Sequence, residues 1–253
     1  MIEARGVTKA FDGKRVLQGI DAVFEPGKTN LIIGQSGSGK TVFLKVLVGL
    51  LRPDAGVVLF EGEDVVSMDV KERRHIQQRI GMLFQNAALF DSQSVLENVM
   101  FPLVMFGKMT RRQALQRAME CLERVHLMDA VRLMPSDLSG GMRKRVAIAR
   151  AIALQPKFLF CDEPNSGLDP QTSLVIDELI HDITREFSIT TVVNTHDMNS
   201  VLGIGDTVSF LYKGRVAWRG TNKEVLSSGN TDLNNFVFAT PMAKRLKQDR
   251  AEQ

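Results

Sequence analysis

The sequence has little that would support a disulfide framework, a metal cluster or a membrane span. Its 253 residues include only two cysteines, Cys121 and Cys161, which lie far apart and lack the spacing of metal ligands. We interpret both as reduced packing residues. No apolar run approaches the roughly 18 residues that a membrane-spanning helix requires, and the first residues lack a signal-peptide pattern. The sequence therefore predicts a chain that stays in the cytosol and does not cross a bilayer by itself.

An excess of one charge is also missing. The net charge of +3 is too small to indicate a nucleic-acid partner, and we expect none. With 44% hydrophobic and 24% charged residues, the composition is that of an ordinary globular protein. The length favours one large domain, or one domain with a subdomain.

The most informative stretch that is present fits the phosphate-loop pattern GxxxxGK[ST]. A strand-like run, Thr29–Ile33, precedes it and a helix-like run follows, so an accidental Gly/Ser-rich turn is disfavoured. Glycines let backbone N–H groups surround an anion, and the helix N-terminus adds partial positive charge. We predict that Lys40 reaches the β and γ phosphates and that the Thr41 hydroxyl lies on Mg²⁺. The predicted triphosphate-binding residues are Gly34, Gln35, Ser36, Gly37, Ser38, Gly39, Lys40 and Thr41.

The rest of the chain predicts an α/β protein. Loose alternation from Ile2 to Phe24, with a turn at Asp12-Gly13, indicates two antiparallel strands. The stretch Thr110–Leu127 has helical spacing, with Thr110 as its N-cap. Three further strands alternate with helix-like stretches, as in a parallel sheet: Phe158–Asp162, Thr190–Asn194 and Val208–Tyr212. We expect the core domain to cover about residues 1–229, a helical subdomain about 90–155, and a tail or docking arm residues 230–253.

Two acidic residues end one of these strands. A carboxylate at the tip of a strand neighbouring the phosphate loop is where a nucleoside triphosphatase holds Mg²⁺ and its attacking water. We expect Asp162 to serve the metal through water, and Glu163 to orient or deprotonate the nucleophilic water. An acidic pair alone often only caps the next helix, but the upstream phosphate loop favours the functional interpretation.

A second glycine-containing helix start follows at Leu138–Met142, with Ser139 as its cap. The phosphate loop, this LSGGM stretch, the FLFCDEP strand end, Ser166–Asp169 and Thr195–Asp197 occur in one order. In that order they resemble the ATP-binding subunits of ABC transporters, over nearly the whole chain. The resemblance implies ATP as the nucleotide, Mg²⁺, and a P-loop NTPase fold. This fold has a RecA-like core, an antiparallel β subdomain and a helical subdomain that carries the signature motif.

The resemblance also implies individual roles. Phe11 resembles the aromatic residue that stacks on adenine, and Gln85 the glutamine that links Mg²⁺ to the membrane subunit. His196 resembles the switch histidine that contacts the γ-phosphate. Considered singly, Phe11 is more often a core residue and His196 a surface or capping histidine.

In this family two subunits pair head to tail. Ser139, Gly140 and Gly141 of one chain are then expected to close on ATP held by Lys40 of the other, with Asp169 lining the dimer seam. The expected partners are a second copy of the chain and integral-membrane permease subunits. The expected location is the cytoplasmic face of the bacterial inner membrane.

Two departures from the usual family motifs bear on the cargo. Met142 replaces the usual glutamine and Gly167 the usual alanine, and neither change removes a group needed for hydrolysis. LSGGM preceded by Leu133–Asp137 resembles the Mla/Mce type of ATPase, as do the stretches Gly81–Phe90, Ser94–Val99 and Phe101–Leu103. That resemblance implies phospholipid cargo and an Mce-domain lipid-binding partner. An importer of small polar solutes is the main alternative. A non-transport ATPase acting on DNA or ribosomes, and an ATP sensor without hydrolysis, are disfavoured.

The apolar segment Val99–Phe106 has two interpretations. It is either buried core or, because it lies just beyond Gln85, part of a groove that receives a cytoplasmic helix of the permease.

Overall fold

The computed structural model describes residues 1 to 239, and within them it contains ten strands and nine α-helices. The strands are β1 (Ile2–Phe11), β2 (Lys14–Phe24), β3 (Thr29–Ile33), β4 (Ala55–Phe60), β5 (Glu63–Asp64), β6 (Ile80–Leu83), β7 (Phe158–Asp162), β8 (Thr190–Thr195), β9 (Thr207–Tyr212) and β10 (Arg215–Thr221). The helices are α1 (Lys40–Leu47), α2 (Val70–Gln77), α3 (Val95–Phe106), α4 (Arg111–Arg124), α5 (Gly140–Ile152), α6 (Pro170–Glu186), α7 (Met198–Ile204), α8 (Asn222–Val225) and α9 (Thr231–Val237).

A six-stranded sheet forms the centre, in the order β10-β9-β3-β8-β7-β6. Its strands run parallel except for β10, which is antiparallel to β9. Strands β3, β7 and β8 are buried along their whole length, in keeping with their largely apolar and β-branched sequences. The predicted α/β class is confirmed.

A second sheet is antiparallel, in the order β2-β1-β4-β5. The predicted turn at its first hairpin is present, with positive φ at both Asp12 (48°) and Gly13 (76°), as a two-residue hairpin turn requires. Its apolar side packs on α1 and on part of the central sheet.

Helices α3, α4 and α5 pack together beside the central sheet. The hydroxyl of Thr110 accepts a hydrogen bond from the N–H of Gln113, whose side chain bonds back to Thr110. This capping box confirms the predicted N-cap. The apolar face of α4 is buried and consists of Ala114, Ala118, Cys121 and Leu122; Val125, the residue after the helix, is buried as well.

Both cysteines are buried and free, as predicted. Burial raises the pKa of the Cys121 and Cys161 thiols, so both stay protonated at neutral pH. Among the described residues, no helix is long and apolar enough to cross a membrane.

The structure differs from the sequence predictions at two surface elements. Helix α2 was not predicted, because Ile76 is its only buried residue and it therefore shows no apolar period. An Asp69–Glu72 capping box starts it instead. The short strand β5 was not predicted either: Glu63 and Asp64 follow a turn at Glu61 and Gly62 and pair with β4.

The expected domain boundary at residue 229 lies ahead of a packed helix. Asn230 caps α9, Leu233 is fully buried, and the Phe236 ring lies 5.5 Å from that of Phe210. The first part of the predicted tail therefore belongs to the hydrophobic core. Residues 240–253 of that tail lie outside the described residues.

Candidate nucleotide-binding and hydrolysis site

The predicted site lies at the carboxyl edge of the central sheet, where β3, β7 and β8 end. In a parallel sheet this edge collects the loops that follow each strand. The sequence predicts that the strand ending in Asp162 neighbours the strand before the phosphate loop. The structure differs, because β8 lies between β3 and β7. The strand that ends at Thr195, just before His196, is the one next to β3.

The phosphate loop depends on glycine at two of its positions. Gly34 has φ 153°, and a Cβ there would lie 2.3 Å from the Leu211 carbonyl oxygen. Gly39 has φ 105° and is the N-cap of α1, without a side-chain cap. The N–H groups at this helix start are therefore left to an anion.

The loop also contains a buried polar atom that fits a phosphate. The Oγ of Ser38 is buried and, among the described residues, has no hydrogen-bond partner. Such an atom loses its water on folding and requires a partner. A phosphate oxygen in the loop would supply one.

Lys40 is almost fully buried, with 6% of its side chain exposed. Its ammonium donates to the carbonyls of Gly34 (2.8 Å) and Gln35 (3.2 Å) and lies 3.6 Å from a Glu163 oxygen. One cation is thus positioned between the phosphate loop and the predicted catalytic carboxylate.

Oxygen atoms suited to Mg²⁺ lie next to this cation. The Thr41 hydroxyl donates to Oδ1 of buried Asp162 at 3.1 Å. Hydroxyl and carboxylate oxygens are ligands that Mg²⁺ prefers, and the ion keeps waters and phosphate oxygens as its other ligands. Thr41 and Asp162 therefore fit the predicted ion. When bound, the ion would neutralise charge on the phosphates.

Glu163 has an unusual backbone conformation. Its φ is 47°, in the left-handed region that costs a non-glycine residue roughly 1 kcal/mol or more. Its N–H donates to Oδ1 of Asn194 (2.8 Å) and to the Asn194 carbonyl (3.1 Å). Its carboxylate reaches Nδ1 of His196 at 2.8 Å. Hydrogen bonds from its N–H to Asn194 thus fix this strained residue, and its carboxylate lies between Lys40 and His196.

Two residues of this site were missed by the sequence analysis. Asn194 lies in an otherwise β-branched strand, and Lys144 lies among the buried residues of α5. A polar residue within a buried apolar stretch indicates a specific contact, because a buried polar group requires a hydrogen-bond partner. Burial lowers the pKa of Lys144, and neighbouring acidic groups, among them Asp162 and Glu163, oppose that shift.

Gln85 follows β6 and is exposed. Its side-chain amide donates to the Ser166 hydroxyl at 3.3 Å, which places it near the loop after Glu163. Phe11 ends β1 with 42% of its surface exposed, and the Lys9 ammonium lies 5.6 Å from its ring. Exposure fits a ring that stacks on a base; that role remains a prediction.

The LSGGM residues lie at the start of α5, where Ser139 accepts a hydrogen bond from the N–H of Met142. A Cβ on Gly141 would lie 2.4 Å from Cγ2 of Thr172, in the first turn of α6. Asp169 caps α6 through the N–H and hydroxyl of Thr172, and these bonds lower its pKa. The described contacts therefore join this motif to the start of α6.

A phosphate loop on a parallel sheet, with a hydroxyl–carboxylate pair and a glutamate at the same edge, defines a P-loop nucleoside triphosphatase. The family model described as ABC transporter matches residues 17–166. The chain belongs to this family, as an ATP-binding subunit with ATPase activity.

Similar proteins support this assignment. The chain is 36% identical to a probable ribonucleotide transport ATP-binding protein of Mycobacterium leprae, covering 93% of this chain and 68% of that protein. It is 38% identical to the methionine import ATP-binding protein MetN of Carboxydothermus hydrogenoformans, covering 98% and 74%. A solved dimeric ATP-binding cassette in a post-hydrolysis state, bound to ADP and phosphate, superposes with a TM-score of 0.81 at 32% identity, covering 88% of this chain and 99% of that one. The expected P-loop fold and ATPase activity are confirmed.

Proposed function

We propose that this chain hydrolyses ATP to drive a bacterial ABC transporter from the cytoplasmic face of the inner membrane. The observation that carries the proposal is the position of Glu163, whose carboxylate lies 3.6 Å from the Lys40 ammonium and 2.8 Å from His196. A carboxylate at this edge is suited to orient a water for attack on the terminal phosphate. Lys40 and His196 then contact the charge that develops on that phosphate.

We further propose that two copies pair head to tail on ATP. The Ser139–Gly141 segment forms the start of α5, and a helix N-terminus of this kind can bind an anion held by a partner. The similar cassette bound to ADP and phosphate is a dimer. Asp169 lies at the adjacent start of α6, which is consistent with the predicted seam.

For the cargo, we propose a small polar solute taken up by import. The similar proteins named above are described as ribonucleotide transport and methionine import proteins. The expected phospholipid cargo and Mce-domain partner have no support in those names. They remain the second candidate because of the residue-level resemblance at Leu133–Met142.

Purification from the native cell in mild detergent separates the two cargo classes. Mass spectrometry of co-purifying proteins and lipids should find a permease with a soluble solute-binding protein. A permease with an Mce-domain protein and bound phospholipid would replace import by lipid transport. The absence of any membrane partner would contradict the transporter assignment itself.

The permease is proposed to dock on the exposed side of α3. Val99 and Leu103 are fully buried and belong to the core, whereas Val104, Met105 and Phe106 are exposed, which supports the docking interpretation for the end of the helix. Adjacent exposed apolar side chains of this kind mark interaction surfaces. A cytoplasmic helix of the permease would cover them.

Substitution of Val104→Glu together with Met105→Glu is expected to abolish co-purification with the permease. The thermal unfolding midpoint should change little, because exposed substitutions usually alter stability by less than about 0.5 kcal/mol. Val70→Glu, on the exposed side of α2, is the matched control and should assemble normally. Recovery of the intact complex with the double variant would refute this docking surface.

A further inference from the structure

Lys144 is a buried cation that no motif of the sequence explains. It lies in α5, one helical turn after Gly140, so the two residues occupy the same face of the helix. Only 4% of its surface is exposed. A buried ammonium is costly unless hydrogen-bond acceptors surround it, so its acceptors are informative.

Those acceptors are two backbone carbonyls of the predicted site. The Lys144 ammonium donates to the carbonyl of Gln85 at 2.5 Å and to the carbonyl of Glu163 at 3.3 Å. Gln85 follows the edge strand β6 and Glu163 follows β7. The Lys144 side chain thus connects α5, the helix that begins in the LSGGM signature motif (called the signature helix below), to the loops after β6 and β7.

Two more hydrogen bonds close this set of contacts into a ring. The Gln85 amide donates to the Ser166 hydroxyl at 3.3 Å, and the Ser166 N–H donates to the Glu163 carbonyl at 3.1 Å. Lys144 is the only charged member of the ring besides Glu163, and it contacts both of the other segments. A shift of α5 would therefore be transmitted to the peptide groups of Gln85 and Glu163.

Glu163 is the member whose geometry most needs support. Its φ of 47° is unfavourable for a glutamate, and a strained residue persists only when its neighbours determine its position. Asn194 binds its N–H side, whereas Lys144 and Ser166 bind its carbonyl side. Without Lys144, the peptide after Glu163 loses its charged donor and gains freedom to rotate.

We propose that Lys144 is a positioning residue for ATP hydrolysis, which holds the Glu163 carboxylate in its working direction and couples it to Gln85 and the signature helix. The inference rests on the proposed role of Glu163 as the residue that orients the attacking water. In the contacts described, Lys144 bonds only to the backbone carbonyls of Gln85 and Glu163 and reaches neither the phosphate loop nor the Thr41–Asp162 pair. It therefore acts on the reaction through other residues, above all Glu163.

The test is Lys144→Met in the full chain, which keeps the length of the side chain and removes its charge and donors. ATP affinity should stay within about twofold, because Lys40 and the phosphate loop are untouched, while kcat falls about 10- to 100-fold, as expected for a misplaced catalytic group. Lys144→Gln retains N–H donors on a neutral amide and should restore part of the rate. Lys71→Met, an exposed cation on α2, is the control and should behave as wild type.

A double-mutant cycle with Glu163→Gln distinguishes positioning from an independent effect. If Lys144 acts through Glu163, Lys144→Met should add little to the loss already caused by Glu163→Gln. A full multiplicative loss would overturn the proposal, as would wild-type kcat in both Lys144 variants, or a parallel loss of ATP affinity and kcat. If Lys144→Met does not fold, the same criteria apply to Lys144→Gln. Absence of hydrolysis by the wild-type chain would instead refute the proposed function.

Discussion

Glu163→Gln is expected to bind ATP normally and to lower kcat by about 10²- to 10⁴-fold, the usual contribution of a general base. The amide keeps the size of the carboxylate and a hydrogen bond to His196, which lies 2.8 Å away, but it cannot accept a proton from water. ATP should therefore persist between two copies. The measurements are steady-state ATP turnover and the size of the protein in the presence of ATP, in which dimers should accumulate.

The control for this variant is Glu178→Gln, which removes a carboxylate from the exposed side of α6. It should turn over ATP at the wild-type rate and remain in the wild-type distribution of monomer and dimer. Normal hydrolysis by Glu163→Gln would show that Glu163 is not the residue that activates the attacking water. The Lys144 proposal would then also lose its basis.

Lys40→Ala is expected to weaken ATP binding by about 100-fold or more. Loss of a buried charged partner costs about 3 kcal/mol or more, and each 1.4 kcal/mol is about tenfold in affinity. The substitution also leaves the carbonyls of Gly34 and Gln35 without their ammonium donor. Titration with ATP under non-hydrolysing conditions measures the effect.

Lys45→Ala serves as the matched control, because Lys45 lies in the last turn of the same helix, α1. It should bind ATP like the wild type. Similar affinities for Lys40→Ala and the wild type would show that the phosphate loop does not hold the nucleotide as predicted.

Local sequence patterns predicted most secondary structure. The Thr110 capping box, the turn at Asp12-Gly13 and the buried strand Thr29–Ile33 all depend on residues close in the chain. Propensity and periodicity are local properties, and these elements follow them. Helix α2 was not predicted, because a single buried residue, Ile76, gives no helical period of apolar residues.

The features of the site also fall into those that local sequence predicts and those that it does not. The sequence by itself determined the phosphate loop, since GxxxxGK[ST] between a strand and a helix specifies both the glycine conformations and the position of Lys40. It also indicated the two acids at the end of β7, Asp162 and Glu163, and the cap at Ser139. Each of these features is formed by residues that are neighbours in the chain.

Only the tertiary structure decided which distant residues meet Glu163. The order of strands placed β8 between β3 and β7, and this brought Asn194 to the N–H of Glu163. The packing of α5 brought Lys144 to its carbonyl. Strand order and helix packing are set by the burial of apolar surface over the whole domain, and no local pattern carries that information.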